Sequence, residues 1–354
     1  MKILVLSKYD DKGASSRYRF YQYVPSLRNE GWEVKTEPLL SNNYIAFLYD
    51  NKELPLLEII LSYFKRIFLL LKKNKYDIIW IEQESFPWIP FFIEKIFIKS
   101  KTKIVTDYDD AFFHRYDQHS NKIVRYLLGS KIDSVMNYAD LILAGNDYLA
   151  RRARANHVKQ IEIFPTVVDT EIFKKMKVHK DNVFTIGWIG SPGTAKYLYT
   201  IRNAFKKVFD EGGVKFSFIG AGDLMFDEFP YENINWDETT EVKEISKFDV
   251  GIMPLPDSPW ERGKCGFKLI QYLSCCIPVI GSPVGVNDKI IQHGINGFKA
   301  NSTEDWVKYF QILKNDSALR EKMGIQGRNF IINNYSLKNN SMRLVSLFKN
   351  IILE

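Results

Sequence analysis

Three features that this 354-residue sequence lacks exclude several classes of protein. It has only three cysteines, Cys265, Cys275 and Cys276, and no C-x-x-C pair, which excludes a disulfide framework and a cysteine-based zinc site and indicates a reducing compartment. No uncharged apolar run reaches the roughly 18 residues that would suggest a membrane-spanning helix. The N-terminus shows a short strand pattern without a signal-peptide cleavage site, so we expect a cytoplasmic protein.

A glycine-rich dinucleotide loop is also missing. Only one glycine, Gly13, follows the first strand pattern, whereas a Rossmann dehydrogenase carries G-x-G-x-x-G at that place. The sequence therefore argues against a dehydrogenase.

The positive charge is confined to the N-terminal half. Residues 1–180 contain 29 Lys and Arg against 22 Asp and Glu, which accounts for the whole net charge of +7. Cations alternate with bulky apolar residues between Phe64 and Lys73, a pattern that fits a helix on an anionic membrane surface. The more frequent alternative is an amphipathic helix that faces the core with lysines at its edge. No recognition motif accompanies the charge, so nucleic acid is not an expected partner.

Strand-like apolar runs alternate with helical patterns along the chain, which predicts parallel α/β layers. Each half begins again with a strand followed by a loop of small residues, the layout of two Rossmann-like domains in tandem. The predicted strands are Ile3–Leu6, Ile78–Ile81, Lys103–Thr106, Leu141–Ala144, Ile161–Ile163, Phe184–Ile189, Lys215–Ile219, Asp249–Met253, Pro278–Ile280 and Gly297–Lys299. The predicted helices between them include Ser16–Glu30, Leu56–Lys73, Asn121–Asn137, Ala195–Glu211, Phe267–Ser274, Thr303–Asn315 and Ala318–Asn333.

The segment from Trp260 to Gly285 carries the strongest functional signal. A basic, glycine-containing loop runs into a helical pattern that starts at Phe267, and a short strand pattern follows. The free amides and the dipole at a helix N-terminus favour an anion there. Arg262, Lys264 and Lys268 add positive charge, so we predict an anion-binding loop, although an ordinary loop–helix–strand unit with solvated cations gives the same pattern.

This segment resembles the nucleotide-sugar site of glycosyltransferase family 4, the retaining GT-B transferases. The residues that fall into the register of its F-x-L-x-x-E-A/Y-x-A-C-G-x-P-V motif are Phe267, Leu269, Gln271, Tyr272, Cys275, Pro278 and Val279. The resemblance implies an α/β protein of the GT-B fold, with two Rossmann-like domains facing each other across a cleft. It also implies a nucleotide-diphosphate sugar as co-substrate, UDP- or GDP-linked, with no cofactor and no metal.

The resemblance also implies the domain limits. Residues 1–170 would form the acceptor-binding domain and 171–336 the nucleotide-sugar domain. Residues 337–354 would form a C-terminal helix that packs back on the first domain.

Donor-site residues carry over by position. In the family an arginine and a lysine hold the diphosphate; Lys196 falls on the lysine, whereas Ser191 falls on the arginine. A departing diphosphate needs charge compensation, so Lys196 and Lys268 are the expected catalytic cations. The further donor-binding candidates are Gly13, Arg17, Gly190, Ser191, Gly222, Trp236, Arg262, Lys264, Gly266, Phe267, Leu269 and Gln271.

The family's pair of glutamates, E-x7-E, is altered here. The second glutamate is Gln271, which keeps an acceptor oxygen for the ribose, and the first falls at Gly263. Glu261, two residues upstream of that position, is the candidate to reach the donor sugar.

In the N-terminal half, arginines and acids follow the predicted strands. Arg17 and Arg19 lie in the first turn of a helix, where cations oppose the dipole unless an anion is near; Arg19 is expected on the acceptor side. Asp109 and Asp110 follow the strand Lys103–Thr106, the usual place of an α/β ligand site, and are expected to contact donor sugar or acceptor. Asp107-Tyr108-Asp109 also spells D-x-D, a metal motif of a different glycosyltransferase fold, but no metal is expected.

The sequence thus predicts a metal-independent, retaining glycosyltransferase of the hexosyltransferase type. Its expected acceptor is a glycan or a lipid-diphosphate-linked glycan in cell-surface polysaccharide assembly, and its basic N-terminal half suggests peripheral contact with an anionic membrane. Two alternatives remain: a GT-B nucleotide-sugar epimerase, and a non-catalytic subunit that binds sugar nucleotides.

Overall fold

The computed structural model describes residues 1–49, 55–98, 101–156, 158–179 and 183–353. The chain divides into two compact units. The first unit contains Met1–Thr166, Gly263–Cys265 and Leu337–Glu354, and the second contains Val167–Arg262 and Gly266–Ser336. The first unit therefore combines three separate stretches of the sequence.

A parallel sheet forms the centre of the first unit. Its described strands are β1 (Lys2–Leu6), β2 (Glu33–Thr36), β3 (Ile78–Glu82), β4 (Lys103–Tyr108), β5 (Leu141–Ala144) and β6 (Gln160–Ile163). They lie in the order β2-β1-β3-β4-β5-β6, with Leu6 opposite Ile81 and Glu82 opposite Asp107. The order in which successive strands are added to the sheet reverses between β1 and β3, while all described pairings stay parallel. In such sheets ligands bind at the carboxyl ends of the strands beside this point, which we call the chain reversal.

Helices connect these strands. They are α1 (Ala14–Arg19), α2 (Val24–Asn29), α3 (Asn42–Tyr49), α4 (Leu56–Leu70), α5 (Phe91–Ile98), α6 (His114–Asp117), α7 (Lys122–Leu128), α8 (Lys131–Tyr138) and α9 (Asp147–Ala155), with short 3₁₀ turns at Tyr21–Tyr23 and Lys73–Lys75. Within the described ranges, no helix is both long and apolar enough to cross a membrane.

The second unit repeats the architecture. Its described strands are β7 (Phe184–Ile189), β8 (Val214–Ile219), β9 (Glu232–Ile234), β10 (Val250–Met253), β11 (Val279–Gly281) and β12 (Gly297–Lys299), in the order β12-β11-β10-β7-β8-β9. All described pairings are parallel. This is the Rossmann strand order, and its reversal lies between β7 and β10.

The helices of the second unit are α10 (Pro192–Ala195), α11 (Arg202–Asp210), α12 (Glu241–Ile245), α13 (Pro259–Arg262), α14 (Phe267–Ser274), α15 (Asn287–Ile290), α16 (Thr303–Asn315) and α17 (Ser317–Asn334), with a 3₁₀ segment at Lys196–Ile201. A core of aromatic and aliphatic side chains fills the space between sheet and helices. Phe205 lies near its centre, with ring centroids 4.9 Å from Phe216 and 6.2 Å from Phe310.

The last helix, α18 (Leu337–Leu353), belongs to the first unit; Glu354 lies outside the described residues. Its Phe348 packs against Trp80 of β3 and Trp32, with ring centroids 5.3 Å and 6.5 Å away. Arg343 donates hydrogen bonds to the Ile163 carbonyl and the Glu162 carboxylate.

The division of the chain differs from the expected domain ranges in two places. It falls after Thr166 rather than after residue 170, and Gly263–Cys265 pack with the first unit although they lie inside the expected second domain. The loop residues do so through local contacts: the Asn146 side chain donates hydrogen bonds to the carbonyls of Gly263 and Lys264, at 2.7 Å and 3.0 Å.

Candidate functional site

Glycines open the carboxyl edge of the second sheet. Gly190 follows β7, and a Cβ on it would lie 2.4 Å from the Trp188 indole. Gly220 follows β8 with φ +70°, and a Cβ there would lie 2.4 Å from the Gly190 carbonyl oxygen and 3.1 Å from Cβ of Trp236. Gly222, with φ +68°, would meet the Pro192 ring at 3.0 Å. The backbones approach so closely that only glycine fits, and the expected residues Gly190, Gly222 and Trp236 lie together.

Lys268 reaches this glycine cluster from the first turn of α14. A Cβ on Gly190 would lie 2.8 Å from its Cε, and its Nζ lies 5.3 Å from the centroid of the Trp188 ring. The other expected cation, Lys196, is exposed, with its Nζ 5.4 Å from the Tyr197 ring centroid. Ser191 caps α10 in a capping box with Thr194, so its side chain is engaged in the local fold.

The start of α14 is shaped by Gly266. It adopts φ +67°, and a Cβ there would lie 2.5 Å from the Ile290 side chain. Phe267 and Lys268 are partly exposed, whereas the Leu269 side chain is fully buried and its amide donates to the Gly266 carbonyl at 3.0 Å. Leu269, expected as a donor-binding residue, therefore contributes core packing. Gln271 is buried to 4% exposure on the next turn of α14.

Glu261 and Arg262 on α13 are already engaged within the second unit. Glu261 is buried and accepts hydrogen bonds from Tyr197 at 2.5 Å and from Ser258. Arg262 forms a bidentate pair with Asp257, with N–O distances of 2.6 Å and 3.0 Å. Reaching a sugar or a phosphate would require each of these side chains to exchange or share its present partner.

The loop Gly263–Cys265 lies against the end of β4 and the turn after it. Cys265 Sγ donates to the Asp109 carbonyl at 2.8 Å, and Lys264 Nζ lies 3.7 Å from the Asp110 carboxylate. A Cβ on Gly263 would lie 2.4 Å from Cβ of Ala111 and 2.6 Å from its amide nitrogen. A glutamate at the position of the family's first acid therefore has no room in this loop.

Gly263→Glu is expected to destabilise the protein rather than restore a family-like site. Overpacking of this kind costs about 1–3 kcal/mol, and the measurement is the free energy of unfolding in guanidinium. Gln271→Glu, which restores the second acid without a new backbone contact, is the matched variant. Equal stability of Gly263→Glu and the wild type would contradict the packing argument.

Polar groups of α1, of the end of β3 and of the turn after β4 meet at the carboxyl edge of the first sheet. Ser15 Oγ lies 2.9 Å from Oε1 of Glu82 and 2.5 Å from Oδ2 of Asp109, and Ser16 Oγ donates to Glu82 at 2.6 Å. The Lys8 amide also donates to Glu82, at 2.8 Å. We call Ser15, Ser16, Glu82 and Asp109 the acidic cluster. It is positioned at the chain reversal between β1 and β3, where a ligand site is expected.

In the acidic cluster the Ser15 hydroxyl lies within hydrogen-bond distance of two carboxylates, Glu82 and Asp109, and Ser16 also donates to Glu82. A single hydroxyl proton of Ser15 cannot donate to Glu82 and Asp109 at once. Burial raises the pKa of Glu82, and the nearby Asp109 raises it further. Both effects favour the protonated form of Glu82.

Backbone strain marks the same edge. Gln83 has φ +63°, a left-handed conformation that is uncommon for residues other than glycine. Its amide donates to the Asp107 carbonyl at 3.0 Å and its side chain to Asp109 at 3.3 Å. Such strain concentrates at functional sites.

The expectation for Arg19 is wrong. Its side chain is 1% exposed and its Nε donates to the Asp107 carboxylate at 2.7 Å, while Nη1 donates to the Phe164 carbonyl at 2.8 Å. The buried ion pair raises the pKa of Arg19 and removes it from any acceptor. The helix dipole argument failed because α1 begins at Ala14 and ends at Arg19, so Arg17 and Arg19 lie in its last turn, where the dipole favours cations, and Arg19 is paired with Asp107.

Burial also changes the pKa of Asp107. It raises the pKa of this carboxyl to about 7; Arg19 opposes the shift, and Asp109 and Glu82 add to it. Because Asp107 serves Arg19 and Asp109 serves Ser15, the two ends of the D-x-D motif have different partners. Among the residues that the structure describes, no group of three or more His, Cys, Asp or Glu side chains could hold a metal ion.

Two residues of this edge were not expected from the sequence, Lys8 and Glu82. Burial lowers the pKa of Lys8 to about 8, with a contribution from Arg115, and its Nζ lies 4.4 Å from the Phe112 ring centroid. Both residues stand at the carboxyl end of a predicted strand, which is the signal that could have identified them.

Gly13 and Arg17, both expected as donor-binding residues, lie in or beside α1. Gly13 caps α1, with a Cβ position only 2.4 Å from Cβ of Tyr9, and Arg17 is buried near the Tyr18 ring.

Comparisons with known proteins agree with this architecture. Residues 181–316 match the model of the family Glycosyl transferases group 1. Among curated proteins, none matches the sequence significantly.

Solved structures resemble the chain over its length. Sucrose-phosphate synthase from Thermosynechococcus elongatus has a TM-score of 0.73 at 12% identity, covering 100% of this chain and 99% of its own. Anabaena HepE in complex with UDP-glucose has 0.71 at 12%, covering 99% and 100%. A glycosyltransferase from Rickettsia africae has 0.70 at 14%, covering 99% and 98%. At such identities the likeness establishes the fold.

The predicted fold class is thus confirmed: α/β, with two parallel sheets in a GT-B fold. The match over 181–316 includes β7, Lys196, α14 and the turns at Gly190 and at Gly220 and Gly222. The donor-site expectations were drawn from these elements. The chain accordingly has the GT-B fold, and its residues 181–316 match the family Glycosyl transferases group 1.

Proposed function

We propose that the chain is a retaining, metal-independent hexosyltransferase that uses a nucleotide-diphosphate sugar, UDP- or GDP-linked. The observation that carries the donor assignment is the position of Lys268, whose side chain lies beside the glycine cluster at the start of α14. The close backbone turns at Gly190, Gly220 and Gly222 bring this edge of the sheet next to Lys268, and the lysine supplies the charge that a diphosphate needs. HepE, a protein of the same fold, is described in complex with UDP-glucose.

In this proposal the cations act on the leaving group. Breaking the bond between sugar and diphosphate leaves negative charge on the phosphate oxygens, and Lys268 and Lys196 stabilise it. The first turn of α14 adds its dipole. Gln271 holds the ribose through its amide, and Trp236 borders the base.

The acceptor side is proposed to involve the acidic cluster. Asp109 is partly exposed and accepts hydrogen bonds, so it can receive one from a sugar hydroxyl. We propose as acceptor a glycan or lipid-diphosphate-linked glycan of cell-surface polysaccharide assembly, with a cytoplasmic enzyme at the inner face of the membrane. Asp110, paired loosely with Lys264, lies next to Asp109 along the chain.

The alternatives differ in what the same donor would become. A nucleotide-sugar epimerase would invert one carbon of the sugar, and a binding subunit would leave the donor unchanged. The proposed cations would serve a diphosphate leaving group, as transfer requires, whereas an epimerase also needs an acid–base set that removes a proton from a sugar carbon.

A ligand panel tests the donor assignment. UDP-, GDP-, ADP- and TDP-sugars are added to the protein and the unfolding temperature is measured; a ligand at 100 times its Kd stabilises by about 2.7 kcal/mol. We expect a shift with a UDP- or GDP-sugar and none with the free sugar. Absence of a shift with every nucleotide sugar would overturn the proposal.

Product analysis with the stabilising donor then separates the alternatives. A transferase releases nucleoside diphosphate when an acceptor glycan is added, and the new linkage keeps the anomeric configuration of the donor. Appearance of an epimeric nucleotide sugar would identify an epimerase, and binding without any product would identify a binding subunit.

A further inference from the structure

Helix α4 presents a row of large apolar side chains to solvent. The members are Leu56, Leu57, Ile60, Leu61, Phe64, Phe68 and the following Leu71, each between 54% and 71% exposed. Their spacing of three to four residues places them along one side of the helix. The opposite side carries Arg66 and Leu70, which are buried. The helix is therefore amphipathic, but its apolar row faces solvent and the side that faces the protein carries a buried arginine.

Arg66 shows that this orientation is built into the fold. Its guanidinium donates to the carbonyls of Ser7 and Glu37, at 2.9 Å and 2.8 Å. Burial lowers the pKa of Arg66 to about 10, because the charged guanidinium loses hydration free energy inside the protein. The hydrogen bonds of Arg66 hold the helix in this orientation despite that cost. Exposed apolar areas of this kind mark interaction surfaces.

The neighbouring helix α5 extends the apolar area. Phe92, Ile93 and Ile96 are exposed on it. The Nζ of Lys73, just past the end of α4, donates to the Phe97 carbonyl at 2.6 Å and so ties the C-terminal ends of the two helices together. We call the exposed apolar residues of α4 and α5, with Leu71, the apolar surface.

The charges around the apolar surface have one sign. Lys65, Lys72 and Lys95 are exposed, and Lys65 also pairs with the partly buried Glu37 at 2.9 Å. The acids of α4 and α5 are withdrawn: Glu58 is half-buried and accepts from Ser41, and Glu94 is fully buried beside Lys131. An approaching partner therefore meets apolar side chains and cations.

A cationic hollow adjoins the end of α4. It measures about 940 Å³, and its lining includes Lys73, Lys101 and Lys103 against one acid, Asp77. It opens at the amino ends of β3 and β4, the edge opposite to the ligand edge of the sheet. It therefore adds positive potential beside the apolar surface without belonging to the proposed active site.

We propose that the apolar surface docks the chain onto an anionic lipid bilayer. The 15 residues of α4 rise about 22 Å, less than the roughly 30 Å of a bilayer core, so the helix lies along the interface. Leucine, isoleucine and phenylalanine side chains enter the boundary between headgroups and acyl chains. The lysines and the cationic hollow face anionic headgroups.

Charge and chemistry favour a bilayer over a protein. In a symmetric dimer the same patch meets itself, which would bring Lys72 and Lys95 against their own copies, whereas Lys65 already pairs with Glu37 at 2.9 Å. Protein interfaces also carry about one hydrogen bond per 100–200 Å². Between Leu56 and Leu71, Lys65 is the one exposed polar side chain, so this side of the helix offers few hydrogen-bonding groups to a protein partner. The acyl chains of a bilayer need no such groups.

Vesicle flotation tests the proposal. The full chain is mixed with vesicles of equimolar phosphatidylcholine and phosphatidylglycerol, or of phosphatidylcholine alone, and the bound fraction is measured. We expect binding to the mixed vesicles that weakens with salt. Phe64→Ser with Phe68→Ser should reduce it about tenfold or more, because two aromatic side chains no longer insert. Lys72→Gln with Lys95→Gln should reduce it about tenfold on anionic vesicles.

Matched controls lie in the second unit. Met225→Ser with Ile325→Ser removes equally exposed apolar side chains, and Lys243→Gln with Lys322→Gln removes the same charge; both should bind like the wild type. Circular dichroism checks that all variants fold. The proposal is overturned if mixed vesicles leave the protein unbound, if the controls lose as much binding, or if sedimentation shows a dimer that the Phe64 and Phe68 changes dissociate. No donor or acceptor is needed, so the outcome is independent of the proposed transferase activity.

Discussion

Lys268→Ala is expected to lower the turnover number of sugar transfer about a hundred- to a thousandfold. The Lys268 side chain lies beside Gly190, and in the proposed donor site its replacement by alanine removes an ammonium group that compensates the developing charge of the diphosphate. The protein should remain as stable as the wild type, because Lys268 is partly exposed on the first turn of α14. The measurement is release of nucleoside diphosphate at saturating donor and acceptor.

Two variants make this result specific. Lys268→Arg keeps the charge with a different shape and should recover part of the rate. Lys243→Ala removes an exposed lysine of α12 in the same unit and should leave turnover unchanged. If Lys268→Ala changed only the Michaelis constant of the donor, the residue would bind the ground state alone, and its assignment to the departing diphosphate would be wrong.

Arg19→Met is expected to cost about 3–5 kcal/mol of stability, the largest effect outside the active site. Methionine fills much of the space but leaves Asp107 buried without its ion-pair partner, and the hydrogen bond to the Phe164 carbonyl is lost as well. Guanidinium unfolding followed by circular dichroism, with the transitions of the two units fitted separately, measures the loss. Arg343→Met, which breaks an exposed pair with Glu162, should cost less than about 1 kcal/mol.

The loss in Arg19→Met should depend on pH with a definite sign. Burial raises the pKa of Asp107 to about 7 from its ordinary value of 3.8 even with Arg19 present, and removal of the guanidinium raises it further. The folded state then binds a proton that the unfolded state releases. The associated stability is fully present below pH 3.8 and is lost as the pH rises through 7 and above.

The variant should therefore be closer to the wild type at pH 5 than at pH 8. Asp107→Asn in the Arg19→Met background should remove this dependence, because the asparagine does not titrate. A loss that is the same at both pH values, or that grows on acidification, would show that Asp107 is not the group responsible.

Much of the fold was accessible from local pattern. Leu141–Ala144, Phe184–Ile189 and Gly297–Lys299 were predicted with the bounds that the structure shows, because buried parallel strands appear as short apolar runs between turn residues. Helix α14 was also predicted with its observed bounds, since Gly266 and the following apolar spacing mark its start.

Other elements were missed or broken for physical reasons. The strands β2 and β9 lie at the edges of their sheets, and exposed residues interrupt their apolar pattern. The helix predicted over Ser16–Glu30 is divided at Phe20 into α1, a 3₁₀ turn and α2. The helix predicted over Asn121–Asn137 is interrupted between Leu128 and Lys131, near Gly129.

In the candidate site, too, local pattern predicted some residues, whereas others depend on contacts with distant parts of the chain. A motif can indicate Gly190 and Lys268 because their order along the chain follows a strand–loop–helix pattern. It cannot show that Gly263 has no room for a side chain, since Ala111, which occupies the space, is about 150 residues away in the chain. Nor can it show that Arg19 is already neutralised, because Asp107 comes from another strand.

By itself the sequence determined the parallel α/β class, the two Rossmann-like halves, the glycine turns and the basic loop before α14, because periodicity and turn chemistry are local. Only the tertiary structure decided which charges are satisfied internally, as with Arg19, and which apolar side chains stay outside, as on α4. Both depend on contacts between residues distant in sequence. The Leu56–Leu70 pattern alone permits a core-facing or an outward-facing helix, and the hydrogen bonds of Arg66 to Ser7 and Glu37 select the outward one.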